Sequence, residues 1–241
     1  MSVKVLLSES PSKRVLLLSN SIQYGSGYLD HAEAEVRGLL GNVKRVLFVP
    51  YALSDHETYT SQARTRFATL GYELNSVHTA ADPRSAVENA DALFIGGGNT
   101  FRLLKTLYDR DLLLAIKRRV EAGMPYLGSS AGSVVACPTL KTTNDMPIVQ
   151  PPSFAALGLV AFQVNAHYLD PDPASTHQGE TREERLMQYL EENDAPVVAL
   201  REGAMVQLEK GAVLLKGVGG ARIFRRGVPP EEVPVGARLD H

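Results

Sequence analysis

The chain has 241 residues, 44% of them hydrophobic and 22% charged, with a formal net charge of −2. This is ordinary globular composition, long enough for one large α/β domain, with no general attraction to nucleic acid or an anionic membrane. A single cysteine, Cys137, excludes an internal disulfide and any multi-cysteine metal site, and no apolar run approaches the roughly 20 residues of a membrane helix.

The segment Val3–Pro11 is too short and interrupted for a signal-peptide core, which makes the cytoplasm the expected compartment. From there the chain alternates. Arg14–Ser19 and Arg45–Pro50 are continuous apolar runs, the pattern of strands covered on both faces. Between them Leu29–Leu40 has helical spacing, and Thr58–Leu70 is a second helix closed by Gly71. Leu74–Val77 is a weaker strand, and Asp82-Pro83 sets an N-cap and first position for a short helix. Ala92–Ile95 is a strand running into Gly96-Gly97-Gly98-Asn99-Thr100, followed by helical Phe101–Tyr108 and Asp111–Ala122 and a strand ending at Leu127.

Periodicity then stops from Cys137 to about Phe162, where prolines accumulate; irregular stretches of this length inside a compact domain are usually functional or mobile. Val160–Asn165 resumes as a strand leading to His167, and Asp170–Ser175 is again proline-rich and acidic. Thr181-Arg182-Glu183-Glu184 is a capping box opening a helix to about Asn193. Val197–Leu200 is a buried strand with Glu202 just past it. A hairpin of Ala204–Leu208 and Ala212–Leu215 and a strand Ala221–Phe224 follow, and Arg225–His241 reads as proline- and charge-rich surface. The rhythm predicts one α/β domain over residues 1–241: a doubly wound, mostly parallel sheet with helices on both faces and a C-terminal β-hairpin.

One stretch carries the chemistry. Gly128-Ser129-Ser130-Ala131-Gly132 is Gly-x-Ser-x-Gly at the end of a strand, the composition of a nucleophile elbow centred on Ser130. A plain tight turn has the same composition, but here a strand precedes it and a helix can follow. Ser130, His167 and Glu202 all stand just beyond strand ends, where open parallel sheets bind their ligands. His167 can equally be structural, and Glu202 a solvated turn residue. Asp145 is a second acid that could orient His167. Gly96–Gly98 could cradle phosphate but lacks the third glycine of a dinucleotide loop and the Gly-Lys-Ser/Thr of a P-loop; bare glycine N–H groups facing an oxyanion suit it better. Cys137, between an apolar segment and Pro138, suits packing. No His/Cys/carboxylate cluster has metal-ligand spacing. Arg182, in the first turn of a helix, is a candidate reader of a substrate carboxylate, with a solvated surface arginine as the alternative.

Together Gly96–Phe101, Gly128–Gly132, Thr142–Val149, Gly179–Glu183 and Leu17–Ser21 resemble peptidase E, the α-aspartyl dipeptidase family, whose fold is related to class I glutamine amidotransferase domains. The resemblance implies a serine peptidase that removes N-terminal aspartate from small Asp-X peptides without metal or cofactor. It implies Ser130 as nucleophile, His167 as base and Glu202 as orienting acid, with Asp145 an alternative for the last role. Gly98 and Ala131 would supply oxyanion N–H groups, and Asn99, Thr143 and Arg182 substrate contacts. No nucleic acid or membrane partner is implied, and a homodimer is compatible. The family pattern has proline before the histidine and before the glutamate; this chain has Ala166 and Arg201. A cyanophycinase-like β-aspartyl peptidase and a catalytically silent small-molecule-binding domain are the alternatives.

Overall fold

The structure, a computed structural model, describes residues 13–176 and 178–239 of the chain. Val3–Pro11, read above for a leader, lies outside the described residues. The apolar runs form strands β1 (Arg14–Leu18), β2 (Arg45–Val49), β4 (Leu93–Ile95) and β5 (Tyr126–Ser129), and the weaker run at Leu74 gives the half-exposed edge strand β3 (Glu73–Ser76). They pair in parallel in the order β3-β2-β4-β5-β1. Continuous apolar sequence is what such strands require, because neighbouring side chains enter opposite, equally dry faces. In β1, Val15 and Leu17 join one core cluster while Leu16 and Leu18 join another; β2 and β4 divide their residues in the same way.

Helices cover both faces. α1 (Glu33–Leu40), preceded by a 3-10 turn at Asp30–Ala32, and α2 (His56–Thr69) seal one core; α3 (Pro83–Glu88), α4 (Thr100–Asp109), α5 (Leu113–Glu121) and α6 (Ala131–Val135) seal the other. Asp82 caps α3 by accepting from the Arg84 and Ser85 N–H groups, with Pro83 at the first position. The hairpin of β8 (Ala204–Glu209) and β9 (Ala212–Gly217) extends this sheet antiparallel beyond β1 to seven strands. Among the described residues no helix is long and apolar enough to cross a membrane.

The remaining strands form a second sheet. β6 (Gln163–Asn165), β7 (Val197–Leu200), β10 (Ala221–Arg225) and β11 (Val228–Val233) pair in the order β11-β10-β7-β6. Val164, Val198, Leu200 and Ile223 turn into the core under α4–α6, and α7 (Arg182–Glu192) packs Leu186 and Leu190 on the outer side against Val197, Ala199 and Phe224. Within Arg225–His241, read as proline- and charge-rich surface, the structure adds the largely exposed strand β11. Pro229 and Pro230 lie on it, and they are tolerated because β11 is an edge that owes no partner an N–H on its outer side. Between α6 and β6 the chain is irregular, as its sequence predicts.

Candidate active site

The elbow explains its own glycines. A Cβ on Gly128 would meet the Gly132 carbonyl oxygen at 2.6 Å, and one on Gly132 would overlap the carbonyl of Ile95 in β4. The two residues lie face to face where β5 turns into α6, so neither admits a side chain. Ser130, at the turn, is held at φ 50°, ψ −108°, a strained conformation for a residue with a Cβ. Its N–H donates to the Leu18 carbonyl at 3.0 Å, anchoring the elbow to β1.

His167 and Glu202 reach Ser130 from the other sheet. β6 and β7 are parallel neighbours, so residues just past their ends lie side by side. His167 Nε2 lies 3.0 Å from Ser130 Oγ, and Nδ1 lies 3.0 Å from Glu202 Oε1. An ionised carboxylate only accepts, so this contact places the proton on Nδ1 and leaves the Nε2 lone pair facing the serine hydroxyl. The three side chains are therefore joined hydroxyl to imidazole to carboxylate, the geometry that a nucleophile, a base and an orienting acid require. Ser130 and His167 open on a cavity of about 360 Å³ lined also by Gly98, Tyr28, Tyr59, Ile22 and Leu53.

Ala131 is the first residue of α6, so its N–H has no carbonyl within the helix to bond. In the glycine loop, Gly96 N–H donates to Val49, Gly97 N–H to the Tyr59 hydroxyl, Asn99 N–H to Ala52 and Thr100 N–H to Asp145. Among the described residues, only the Gly98 N–H of this run has no protein acceptor. Two unspent donors thus flank the nucleophile, one on each loop.

Asp145 is placed elsewhere. Its Oδ2 accepts from the Thr100 N–H at 2.7 Å and the Thr100 hydroxyl at 2.6 Å, at the start of α4, and lies 3.1 Å from the Thr143 hydroxyl. It makes no contact with His167 among these bonds; the acid on the imidazole is Glu202. Asn99 is occupied as well: its Oδ1 caps α4 through the Arg102 N–H, and its amide donates to the Met146 carbonyl. Asp145, Thr143 and Arg182 line a separate polar cavity of about 170 Å³, with Asn144, Asn165 and Arg185. Two short links run between the walls of the two cavities: Asp145 accepts from Thr100, two positions after Gly98, and Asn144 donates to the carbonyl of Ala166 beside His167.

The chain resembles proteins of known family along nearly its whole length. Residues 15–216 match the family described as Peptidase family S51. The chain belongs to that family. A peptidase E from Streptomyces coelicolor is 55% identical over 225 residues, covering 93% of each chain. A probable alpha-aspartyl dipeptidase from Drosophila melanogaster is 46% identical, covering 92% of this chain and 94% of that one. Among solved structures, a putative peptidase E from Listeria monocytogenes EGD-e overlays with a TM-score of 0.66 at 21% identity, covering 86% of this chain and 99% of that one. A peptidase from an acI-B1 Actinobacterium overlays with a TM-score of 0.68 at 17% identity, covering 98% and 97%; both likenesses establish the fold. The chain is thus an S51 peptidase.

In this S51 peptidase, burial pushes the Cys137 thiol up to about 12, against a small opposing pull from the Val164 N–H. It stays a thiol, fully buried, and packs as its sequence context predicts. Arg182, the first residue of α7 behind its Thr181–Glu184 capping box, is half-buried. Burial and the nearby Arg185 lower its pKa, and Asp145 offsets part of this. A guanidinium so placed gains from an anion beside it.

Two residues to which the sequence alone assigns no role hold the backbone at His167 and beside Glu202. Ser19 Oγ accepts the His167 N–H at 2.8 Å and donates to the Leu200 carbonyl at 2.9 Å. Asn20 Oδ1 accepts the Gly203 N–H, next to Glu202, at 2.7 Å. Polar residues directly after an all-apolar strand were the available signal.

Proposed function

We propose that the chain is an α-aspartyl dipeptidase of the cytoplasm, hydrolysing Asp-X dipeptides by Ser130, His167 and Glu202. The observation that carries this reading is the unbroken chain Ser130 Oγ–His167–Glu202 with both links at 3.0 Å. Ser130 attacks the scissile carbonyl as Nε2 takes its proton; the same proton passes to the leaving amine, and water then repeats the sequence on the acyl-enzyme. Glu202 keeps the proton on Nδ1 and stabilises the imidazolium. The Gly98 and Ala131 N–H groups receive the oxyanion, each contributing about 3 kcal/mol to the tetrahedral state.

Substrate choice comes from the smaller cavity. A buried aspartyl carboxylate needs a fixed cation, and Arg182 supplies a planar two-pronged donor. Asp145 spends Oδ2 on Thr100 and Thr143, and its Oδ1 meets the substrate α-ammonium. The larger cavity takes the leaving residue. The 46%-identical Drosophila relative, a probable alpha-aspartyl dipeptidase, supports the substrate class.

The test is hydrolysis of Asp-Leu, Asn-Leu and β-Asp-Arg by the wild type, Ser130→Ala and Ser129→Ala. Cleavage of Asp-Leu alone is expected, lost by about 10³-fold or more in Ser130→Ala. Ser129 is fully buried with no partner for its hydroxyl among the described residues, so Ser129→Ala removes an unsatisfied group and keeps full activity and stability. Preference for β-Asp-Arg would reassign the substrate, and a dead Ser129→Ala would reassign the nucleophile. Failure to cleave any of the three, with no labelling by a serine-reactive phosphonate, would leave a silent binding domain.

A further inference from the structure

The glycine loop is pinned by one side chain that the catalytic reading does not use. Tyr59, from α2, is 6% exposed and its hydroxyl accepts the Gly97 N–H at 2.7 Å. A Cβ on Gly96 would overlap that hydroxyl, and one on Gly97 would stand 3.1 Å from Ser130 Cβ. The loop is therefore stripped of side chains on one side for Tyr59 and on the other for the nucleophile. The ring itself is wedged edge-on against Phe48, with centroids 5.0 Å apart at 84°. Tyr28, on the same cavity wall, brings its hydroxyl to 3.5 Å from that of Tyr59. Burial pushes the Tyr59 phenol above its ordinary value, against the pull of the Tyr28 and Gly97 hydrogen bonds, so it is a neutral, oriented acceptor.

Resting on the reading of Ser130 as nucleophile, we propose that Tyr59 is a positioning residue for the oxyanion site: by holding the Gly97 N–H it turns the Gly98 N–H toward the developing oxyanion. The peptides on either side are already fixed, Gly96 N–H by Val49 and Asn99 N–H by Ala52. Between them lie the 96–97 and 97–98 peptides: the second carries the Gly98 N–H, and the first, which sets its direction, has an amide with no backbone acceptor; the phenol supplies one. Gly98 itself sits at φ 132°, where a side chain would be strained and would run into the Ala52 carbonyl, so the loop tolerates no substitute that could fix it from within. A donor that is free to swing would lose the pre-organisation on which oxyanion stabilisation depends.

Tyr59→Phe keeps the ring and its packing and deletes only the acceptor. For Asp-Leu, kcat should fall by about 10- to 100-fold with KM within about threefold, less than the roughly 100- to 1,000-fold that loss of a direct oxyanion donor costs. The rate of inactivation by an aspartyl phosphonate, whose phosphoryl oxygen occupies the oxyanion position, should fall by the same factor. Wild-type kcat in Tyr59→Phe, or a lowered kcat with unchanged phosphonate inactivation, would overturn the proposal. Amide exchange on the wild-type protein gives a check that needs no variant: the Gly97 N–H should be strongly protected, and exchange at the rate of a solvated amide would overturn it. Ser130→Ala run alongside separates the levels. Undiminished turnover there brings down the nucleophile and this inference with it, whereas a dead Ser130→Ala beside a fully active Tyr59→Phe overturns the role of Tyr59 alone.

Discussion

Ser19 and His167 join the two sheets at the point where catalysis is proposed: the serine hydroxyl accepts the histidine N–H at 2.8 Å while donating to the carbonyl of Leu200 on β7 at 2.9 Å. His167 is at φ 54°, so its peptide cannot continue the β6 ladder and needs this other acceptor. Ser19→Ala leaves a buried N–H unpaired, which costs about 1–3 kcal/mol, or a melting temperature lower by roughly 2–10 °C for a chain of this size. It should also lower kcat for Asp-Leu by about tenfold or more, because the imidazole loses its fixed mount. Thermal melts and steady-state kinetics check both; an unchanged kcat would show that the His167–Glu202 contact alone sets the ring.

The two acids are separable by the same kinetics. Glu202→Gln keeps size but offers the imidazole an amide, which can favour the wrong tautomer; such a change at an orienting acid costs up to about 10⁴ in kcat. Asp145→Asn should retain far more of kcat and show chiefly in KM, together with a weaker start to α4. The opposite ranking would return the acid role to Asp145.

The difference between these two acids also marks how far the sequence reading reached. The elbow was legible because small residues crowd one short turn: a Cβ on Gly128 would strike the Gly132 carbonyl, and Ser130 lies between them. The Thr181–Glu184 capping box likewise closes within four consecutive residues. Asp145 stands in a motif that looks chemical, and only the fold shows that its carboxylate holds Thr100. The partners of Ser19, Asn20 and Tyr59 were not legible, because they lie 148, 183 and 38 residues away in the chain. Nor does an apolar strand announce its sheet: β7 has the same dry pattern as β1 and β5, and pairing is decided by distant residues. His167 and Glu202 were correctly placed past strand ends, but those strands belong to a different sheet from Ser130.

Arg201 stands where the family pattern expects proline, and it restrains the same segment by charge. Its guanidinium takes both oxygens of Asp170, at 2.7 and 2.8 Å, and both of Glu232, at 2.6 and 2.9 Å. That ties the loop after His167 and the edge strand β11 to the residue beside Glu202. Hydrogen bonds from Arg201 hold both carboxyls below their ordinary values. Their contribution is therefore present above the unfolded carboxylate range, near pH 4, and lost as the pH falls through the lowered folded values. Both acids are substantially exposed, so screening keeps the total near 1 kcal/mol. Arg201→Ala should melt about 2–4 °C below wild type at pH 7, with the gap closing near pH 3 and shrinking in 1 M salt. A gap independent of pH would mean that Arg201 acts by packing.

Arg182 carries the last prediction, which concerns substrate choice. A helix start favours acids, so an arginine at the first position of α7 is mildly unfavourable there unless an anion repays it. Arg182 is half-buried beside Asp145 and Arg185 in the small polar cavity, and its proposed partner is the aspartyl carboxylate of the substrate. The fork reads that group by two parallel hydrogen bonds, which neither a lysine nor an apolar side chain reproduces. Removing one member of a buried charge pair costs about 2–5 kcal/mol, equivalent to roughly 30- to several-thousand-fold in kcat/KM. Arg182→Met should lose that much on Asp-Leu, while Asn-Leu, which brings no charge into the cavity, falls far less; discrimination between the two collapses. Ser130 in the variant should still react with a small phosphonate lacking the aspartyl side chain, since Ser130, His167 and Glu202 are untouched. A variant that still cleaves Asp-Leu at the wild-type rate and rejects Asn-Leu would assign the reading of the carboxylate to another group, with Arg185 on the same wall the next to test.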